Sequence, residues 1–494
     1  MSLTAKTVRQ AALYASFQGA GMLVSLISFP ILTRWLTVAE YGSLAIVNAT
    51  VMMLAAVAKS GLGTALLRQF PTVQKEPDRQ RGLISSTFWT AVGVWALVAG
   101  SYLAISRLFL QESLQLYAGL TLVAVVLVAT GTTRDLYQAL LRARDHVLRS
   151  NVFALSLRVG VVAGGLICMM LSENRVLGFF MGSAAVELAG VTWMWGREAA
   201  AGGLKWREAH LAQSRALLAF GLPLLTYEFA SLVNDYLDRF LIAKFIGLEA
   251  VGQYSVGYNI ASYAQQLTTA PMWMTVFPIY TRLWESEGRE ATQRFLSNIL
   301  GGYTAVACGV VMIAIVAGDE LIHVLAGEKY NAAATVLPMV CTAMMVYGTT
   351  HIIGAGFYLQ RRTGLLAAIT AASALCKGAL DVVLIPKYGI QGAAWATIAS
   401  FGAMTIAIAI LGSRFIRVRW SFTRVLVHVG SAVVTGALVS RINFDAPVLV
   451  LIAKVSAGFL VYGALLFALD RTLRDSLLTA MRRLPVAASS SSDA

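Results

Sequence analysis

The stretch FGLPLLTYEFASLVNDYLDRFLIAKFIGLEAVGQYSVGY, Phe220 to Tyr258, reads as one long apolar segment, a tight turn and the start of a second segment. About 20 mostly apolar residues in succession cross a bilayer as a helix, because in hydrocarbon only a helix satisfies its own backbone. Four ionisable residues, Glu228, Asp235, Asp238 and Arg239, interrupt the first segment at depths where a charge is costly without a role. The turn is informative too: Lys244 closes one segment, Glu249 makes the link acidic and Gly252 opens the next. The same order occurs 210 residues earlier, where RWLTVAEYG (Arg34 to Gly42) aligns without gaps with KFIGLEAVG (Lys244 to Gly252). Six membrane spans fit between the copies, so the two halves share one orientation and predict parallel lobes about an axis along the membrane normal.

The rest of the chain follows this pattern. Of 494 residues 57% are hydrophobic and 13% charged, against roughly 25% charged in soluble domains. Spans are expected at 11–35, 43–67, 83–106, 116–139, 151–171, 176–196, 216–245, 251–279, 296–317, 333–358, 363–385, 391–412, 425–440 and 446–469. This is an all-α polytopic membrane protein of about 14 helices: an N-terminal lobe (1–197), a linker (198–215), a C-terminal lobe (216–412), two appended spans (413–470) and a tail (471–494). The net charge of +14 is spread over alternate loops, for example Lys75, Arg79 and Arg81, or Arg142, Arg144 and Arg149. One set of loops, with both tails, carries about two dozen basic residues and the other about seven, which places both termini in the cytoplasm. Nucleic-acid binding is excluded, since no dense basic patch exists. Lys6 and Arg9 precede an apolar run too long for a cleavable signal, so a retained first span is expected. Residues 471–483 are basic, suited to an anionic membrane surface or equally to a solvated helix, and the Ser-rich 489–494 is expected to be disordered. The four cysteines lie singly in apolar runs, and no spacing suggests a metal or another cofactor.

The turn LTVAEYGSLAIV (36–47), GLGTALLRQFP (61–71), the Phe220–Tyr258 stretch, LAGEKYNAAATVLP (325–338) and LIPKYGIQGAAWAT (384–397) resemble, in order and spacing, polysaccharide-export flippases of the Wzx type. These belong to the multidrug/oligosaccharidyl-lipid/polysaccharide exporter superfamily, and the resemblance covers about residues 10–412. It implies a V-shaped transporter of the bacterial inner membrane that moves a polyprenyl-pyrophosphate-linked oligosaccharide between leaflets by alternating access. It also implies no ATPase domain, and no G-x-x-x-x-G-K-[ST] loop is present. The expected partners are that lipid-linked sugar, membrane lipids, a proton or sodium ion if transport is coupled, and a polysaccharide polymerase and glycosyltransferases. Rival readings are a multidrug or lipid II exporter of the same architecture, and a membrane glycosyltransferase or polymerase. The last needs a large outer loop, and the longest here, around Gly318 to Asn331, is too small.

A sugar-pyrophosphate cannot enter hydrocarbon unaided, because its charges and unpaired polar groups are too costly to desolvate. Cleft cations are therefore the first candidates: Lys59, placed well inside span two, then Arg34, Arg239 and Lys377. The plainer alternatives are snorkelling for Lys59 and an interfacial anchor for Arg34. Glu228, Asp235, Asp238 and Asp381 are candidate coupling or gating acids, against simple interhelical hydrogen bonding. Asp235 and Arg239, and Lys377 and Asp381, have the i,i+4 spacing of helical ion pairs, whereas adjacent Asp238 and Arg239 point about 100° apart. The Lys377–Asp381 pair is expected to face the cleft. For Glu187, Arg134, Asp135, Arg158 and Lys454 helix–helix hydrogen bonding or snorkelling is the better reading. Pro30, Pro223, Pro271 and Pro278 are candidate bends. Gln253, Tyr254, Tyr258, Asn259, Gln265 and Gln266 give span eight a flank for sugar hydroxyls or for core hydrogen bonds.

Overall fold

In a computed structural model, residues 3–109, 118–475 and 478 are described. Most of the C-terminal tail, including the Ser-rich end, lies outside them. The first half of the chain forms α1 (Leu3–Trp35), α2 (Val38–Lys59), α3 (Leu62–Val73), α4 (Pro77–Phe109), α5 (Ala118–Ala143), α6 (Val147–Leu171), α7 (Arg175–Ala200) and α8 (Leu211–Phe245). The second half forms α9 (Leu248–Ser286), α10 (Gly288–Val316), α11 (Gly318–Leu325), α12 (Ala333–Gly348), α13 (Thr350–Ile353), α14 (Ala355–Leu359), α15 (Thr363–Gly412), α16 (Phe422–Val439) and α17 (Pro447–Leu469). Among the described residues every regular element is helical, so the protein is an all-α, multi-pass membrane protein.

Twelve helical segments among the described residues are long and apolar enough to span a membrane, against the fourteen spans expected. The difference arises at two places. Helix α15 holds the eleventh and twelfth expected spans end to end, interrupted at Gly389, whose φ of 63° and ψ of −141° are not helical. Helix α9, the eighth expected span, is 39 residues long, but Gln253, Asn259, Gln265 and Gln266 keep it too polar to count. Helices α1 and α8 continue through Pro30 and Pro223. The second expected span breaks where Ser60 (φ 42°) and Gly61 (φ 66°) adopt left-handed conformations between α2 and α3, and the tenth is divided among α12, α13 and α14.

The chain packs as two compact units, residues 1–255 with 367–396, and residues 256–366 with 397–494. Within the first unit the segment after α7 is fastened to α4. The Lys205 and His210 amides donate to Ser85 and Ser86 hydroxyls (3.1 and 2.9 Å), and Ser86 donates to Gln213.

In the first unit the repeated turns meet each other. Thr37 caps α2 in a capping box with Glu40: the Glu40 amide donates to the Thr37 hydroxyl and the Thr37 amide to the Glu40 carboxylate. The second copy has Gly247 at φ 128° in place of that cap. One turn into each helix, Gly42 and Gly252 allow close backbone approach. A Cβ on Gly42 would lie 2.0 Å from the Leu248 carbonyl oxygen, and one on Gly252 would lie 2.2 Å from that of Val38. Val38 and Leu248 are themselves partners in the 210-residue alignment, so the contact is reciprocal. A second glycine approach holds the α2–α3 break against α8, where a Cβ on Gly221 would lie 2.0 Å from the Ser60 oxygen.

In the second unit α16 and α17 join α10 through a buried polar cluster. His428 Nε2 lies 2.9 Å from Asp470 Oδ2, and Arg424 Nε donates to the same oxygen at 3.0 Å. His428 Nδ1 lies 3.2 Å from the Thr304 hydroxyl. Burial raises the Asp470 carboxyl, but hydrogen bonds from His428, the Leu473 amide and Arg424 outweigh it and hold the group below its usual range.

Candidate functional site

Two lysine–carboxylate clusters lie in the first unit, and they differ in access to water. The first is built around the break between α2 and α3. Lys59 is the last residue of α2, not a mid-span residue with few polar neighbours as the unbroken span implied. Its Nζ donates to Glu228 Oε1 of α8 at 2.8 Å and lies 3.6 Å from Asp135 Oδ2 of α5. Asp135 also receives Arg134 at 3.0 Å, Arg134 reaches Glu187 of α7, and the Thr130 hydroxyl donates to Glu187 at 3.0 Å. Charge therefore alternates along Glu228, Lys59, Asp135, Arg134 and Glu187. The first four side chains are partly exposed, Lys59 at 29% and Glu228 at 41%, and only Glu187, at 6%, is buried. Arg134 and Glu187 thus do the helix–helix bonding expected of them, and Asp135 joins the candidate site.

Lys59, Asp135 and Glu228 line a cavity of about 300 Å³ together with Thr64, Gln138 and Arg142. That volume is at the small end for ligand clefts, too small for an entire oligosaccharide, and its wall sets Lys59 and Arg142 against Asp135 and Glu228. Thr64, Gln138 and Arg142 were not among the expected site residues. Arg142 reads from sequence as a loop charge, and only the pairing of α3 with α5 brings it to the cavity.

The second cluster is sealed. Lys377 Nζ donates to Asp238 Oδ2 at 2.8 Å and to Asp381 Oδ2 at 3.3 Å, and all three side chains have no exposed surface. Tyr254 donates to Asp238 at 2.6 Å. Two expectations are corrected here. The i,i+4 pair Lys377–Asp381 forms, but it is buried against α8 and shared with Asp238 rather than facing water. Arg239 does reach its neighbour Asp238, at 3.3 Å, while its guanidinium also donates to the Asp235 carbonyl. Its long side chain folds back along the helix, which a count of Cβ directions does not capture. Arg239, 3% exposed, and Lys377 are thus charges held inside the protein, not cleft cations. Tyr254 likewise serves the core.

The other candidates are dispersed. Arg34 is exposed in the last turn of α1. Arg158 donates to the Ser25 hydroxyl at 2.6 Å, and Lys454 donates to Glu320 at 2.5 Å and to the Val316 carbonyl. In the second unit an apolar groove of about 670 Å³ runs between α10, α12 and α16, lined by residues such as Val311, Ile315, Val346, Val429 and Val433. Among the described residues no group of His, Cys, Asp and Glu is placed to hold a metal ion.

The polysaccharide biosynthesis protein family matches residues 7–284, more than half of the chain. The chain belongs to this family. Similarity extends over the whole length in one relative, the succinoglycan biosynthesis transport protein ExoT of Rhizobium meliloti, 23% identical over 99% of this chain and 98% of that protein. The probable low-salt glycan biosynthesis flippase Agl15 of Haloferax volcanii is 21% identical over 60% of this chain, and the match spans 63% of Agl15, under two thirds of its length. Among solved structures, lipid II flippase MurJ in an inward closed conformation superposes with a TM-score of 0.71 at 13% identity, covering 94% of this chain and all of MurJ. An inward-facing multidrug resistance transporter of the MATE family follows at 0.63 and 11% identity, covering 80% of this chain and 94% of that one. At such identities the likeness shows that this member of the polysaccharide biosynthesis family shares their fold.

Proposed function

We propose that this chain is a flippase that carries a polyprenyl-pyrophosphate-linked oligosaccharide from the cytoplasmic to the outer leaflet of the bacterial inner membrane, without ATP. The observation that carries this reading is the half-exposed Lys59, held at a helix break and bordering a polar cavity. An anion entering that cavity competes with Glu228 and Asp135 for the ammonium. The pyrophosphate takes Lys59 from Glu228, and the released carboxylate accepts a proton or a sodium ion or turns toward water, since an unpaired charge left in place is costly. The two parallel lobes then exchange access, with both termini cytoplasmic. The relatives named as glycan flippases and transport proteins support this class of cargo. A headgroup with about two negative charges moving outward, down an inside-negative potential, gains roughly 4–5 kcal/mol per 100 mV, so hydrolysis is not required for net movement.

The test is translocation in sealed proteoliposomes loaded with polyprenyl-pyrophosphate oligosaccharide and no nucleotide. Native protein is expected to move the lipid and Lys59→Ala to do so at least tenfold more slowly at equal folded yield. Unchanged transport by Lys59→Ala removes Lys59 from the site, and no transport by native protein removes the cargo.

A further inference from the structure

A cavity of about 810 Å³ in the first unit lies between α5, α6 and α7, apart from the Lys59 cluster. Its rim carries Arg149 and Arg197. Neither has an ion-pair partner among the described residues; Arg197 instead lies 5.2 Å from the face of Trp193. The acid in the wall, Glu198, is buried and already neutralised by a two-pronged pair with Arg144 at 2.6 and 2.8 Å. The cavity therefore presents two uncompensated positive charges. Beside them the surface is greasy and open: Leu148, Val152 and Trp193 are 53%, 45% and 59% exposed.

We propose that this groove binds an anionic phospholipid of the surrounding membrane, with its phosphate between Arg149 and Arg197 and an acyl chain along Leu148, Val152 and Trp193. Charge complementarity selects the occupant. A zwitterionic lipid brings a cation that the two arginines repel, whereas a phosphatidylglycerol phosphate brings net negative charge to paired guanidinium donors. Trp193 and Arg197 also have the amphipathic character suited to the boundary between headgroups and tails. All the helix ends here belong to the arginine-rich set of loops, with Arg142 and Arg144 closing α5. Each basic residue near an anionic surface contributes about a factor of five, so the two arginines together favour phosphatidylglycerol over phosphatidylcholine by roughly twenty-five-fold.

The experiment measures lipid retained by the full-length protein in native mass spectrometry, offered phosphatidylglycerol and phosphatidylcholine in equal amounts. Native protein is expected to hold one phosphatidylglycerol preferentially, and the double variant Arg149→Gln/Arg197→Gln to lose the preference. Both side chains are exposed, so the variant's unfolding temperature in phosphatidylcholine should equal that of native protein; Arg149→Lys/Arg197→Lys should keep most of the preference. Equal retention of the two lipids by native protein, or undiminished preference in the Gln variant, overturns the proposal. So does one-for-one displacement of phosphatidylglycerol by polyprenyl pyrophosphate, which would give the groove to the transported lipid instead.

Discussion

Lys59 and Lys377 are each a lysine between two carboxylates, in the same compact unit, yet they have opposite freedom. Lys59 sits at a broken helix end with Glu228 and Asp135, and water reaches all three. Lys377 sits within a continuous stretch of α15 with Asp238 and Asp381, and water reaches none of them. A half-exposed pair is worth little to stability, because solvent screens it and competes for both partners. A sealed pair is strongly destabilised by loss of one partner, because the other charge stays buried. The same chemistry thus makes a trading post in one place and a fastener in the other, and burial decides which.

That contrast is broken most forcefully at Lys377. Lys377→Met strands two buried carboxylates and is expected to cost about 3–5 kcal/mol of stability, seen as a large drop in unfolding temperature and monodisperse yield. Asp381→Asn should cost less, since Lys377 keeps Asp238 and Asp381 Oδ1 already lacks a hydrogen-bond partner. Gly252→Ala probes packing instead of charge: its methyl would meet the Val38 carbonyl, and overpacking of this kind costs about 1–3 kcal/mol. Lys59→Gln sharpens the comparison from the other side, lowering stability by under about 1 kcal/mol while slowing lipid translocation. A pH-dependent effect is expected at Asp470. Its folded-state value lies below the unfolded one, so its contribution to stability is present above the unfolded value near 3.9 and fades as pH falls through the lower folded one. Asp470→Asn should flatten the acid limb of an unfolding-temperature profile below about pH 4, and an unchanged limb would contradict the assignment.

Much of the fold was legible because a bilayer enforces simple rules. The apolar runs gave the helices, whereas the Thr37–Glu40 capping box within LTVAE emerged only in the structure. The Gly42–Gly252 alignment pointed to two positions that turn out to touch. The i,i+4 spacing of Lys377 and Asp381 announced their pair, but not Asp238, which lies 139 residues from Lys377 and meets it only through packing of α8 on α15. Depth was the harder quantity. An unbroken second span put Lys59 among apolar neighbours, although KSGLG, residues 59–63, carries two glycines able to break it. Sequence spacing also could not tell which of the intramembrane cations face water, because that depends on which helices neighbour each other.

The account rests on Lys59 leaving Glu228 for the pyrophosphate, and equilibrium binding of a polyprenyl pyrophosphate to two single variants tests this most directly. If Glu228 competes with the ligand, Glu228→Gln should tighten binding while Lys59→Gln weakens it, by about tenfold each way. Weakening in both variants, or no change in either, would contradict the exchange.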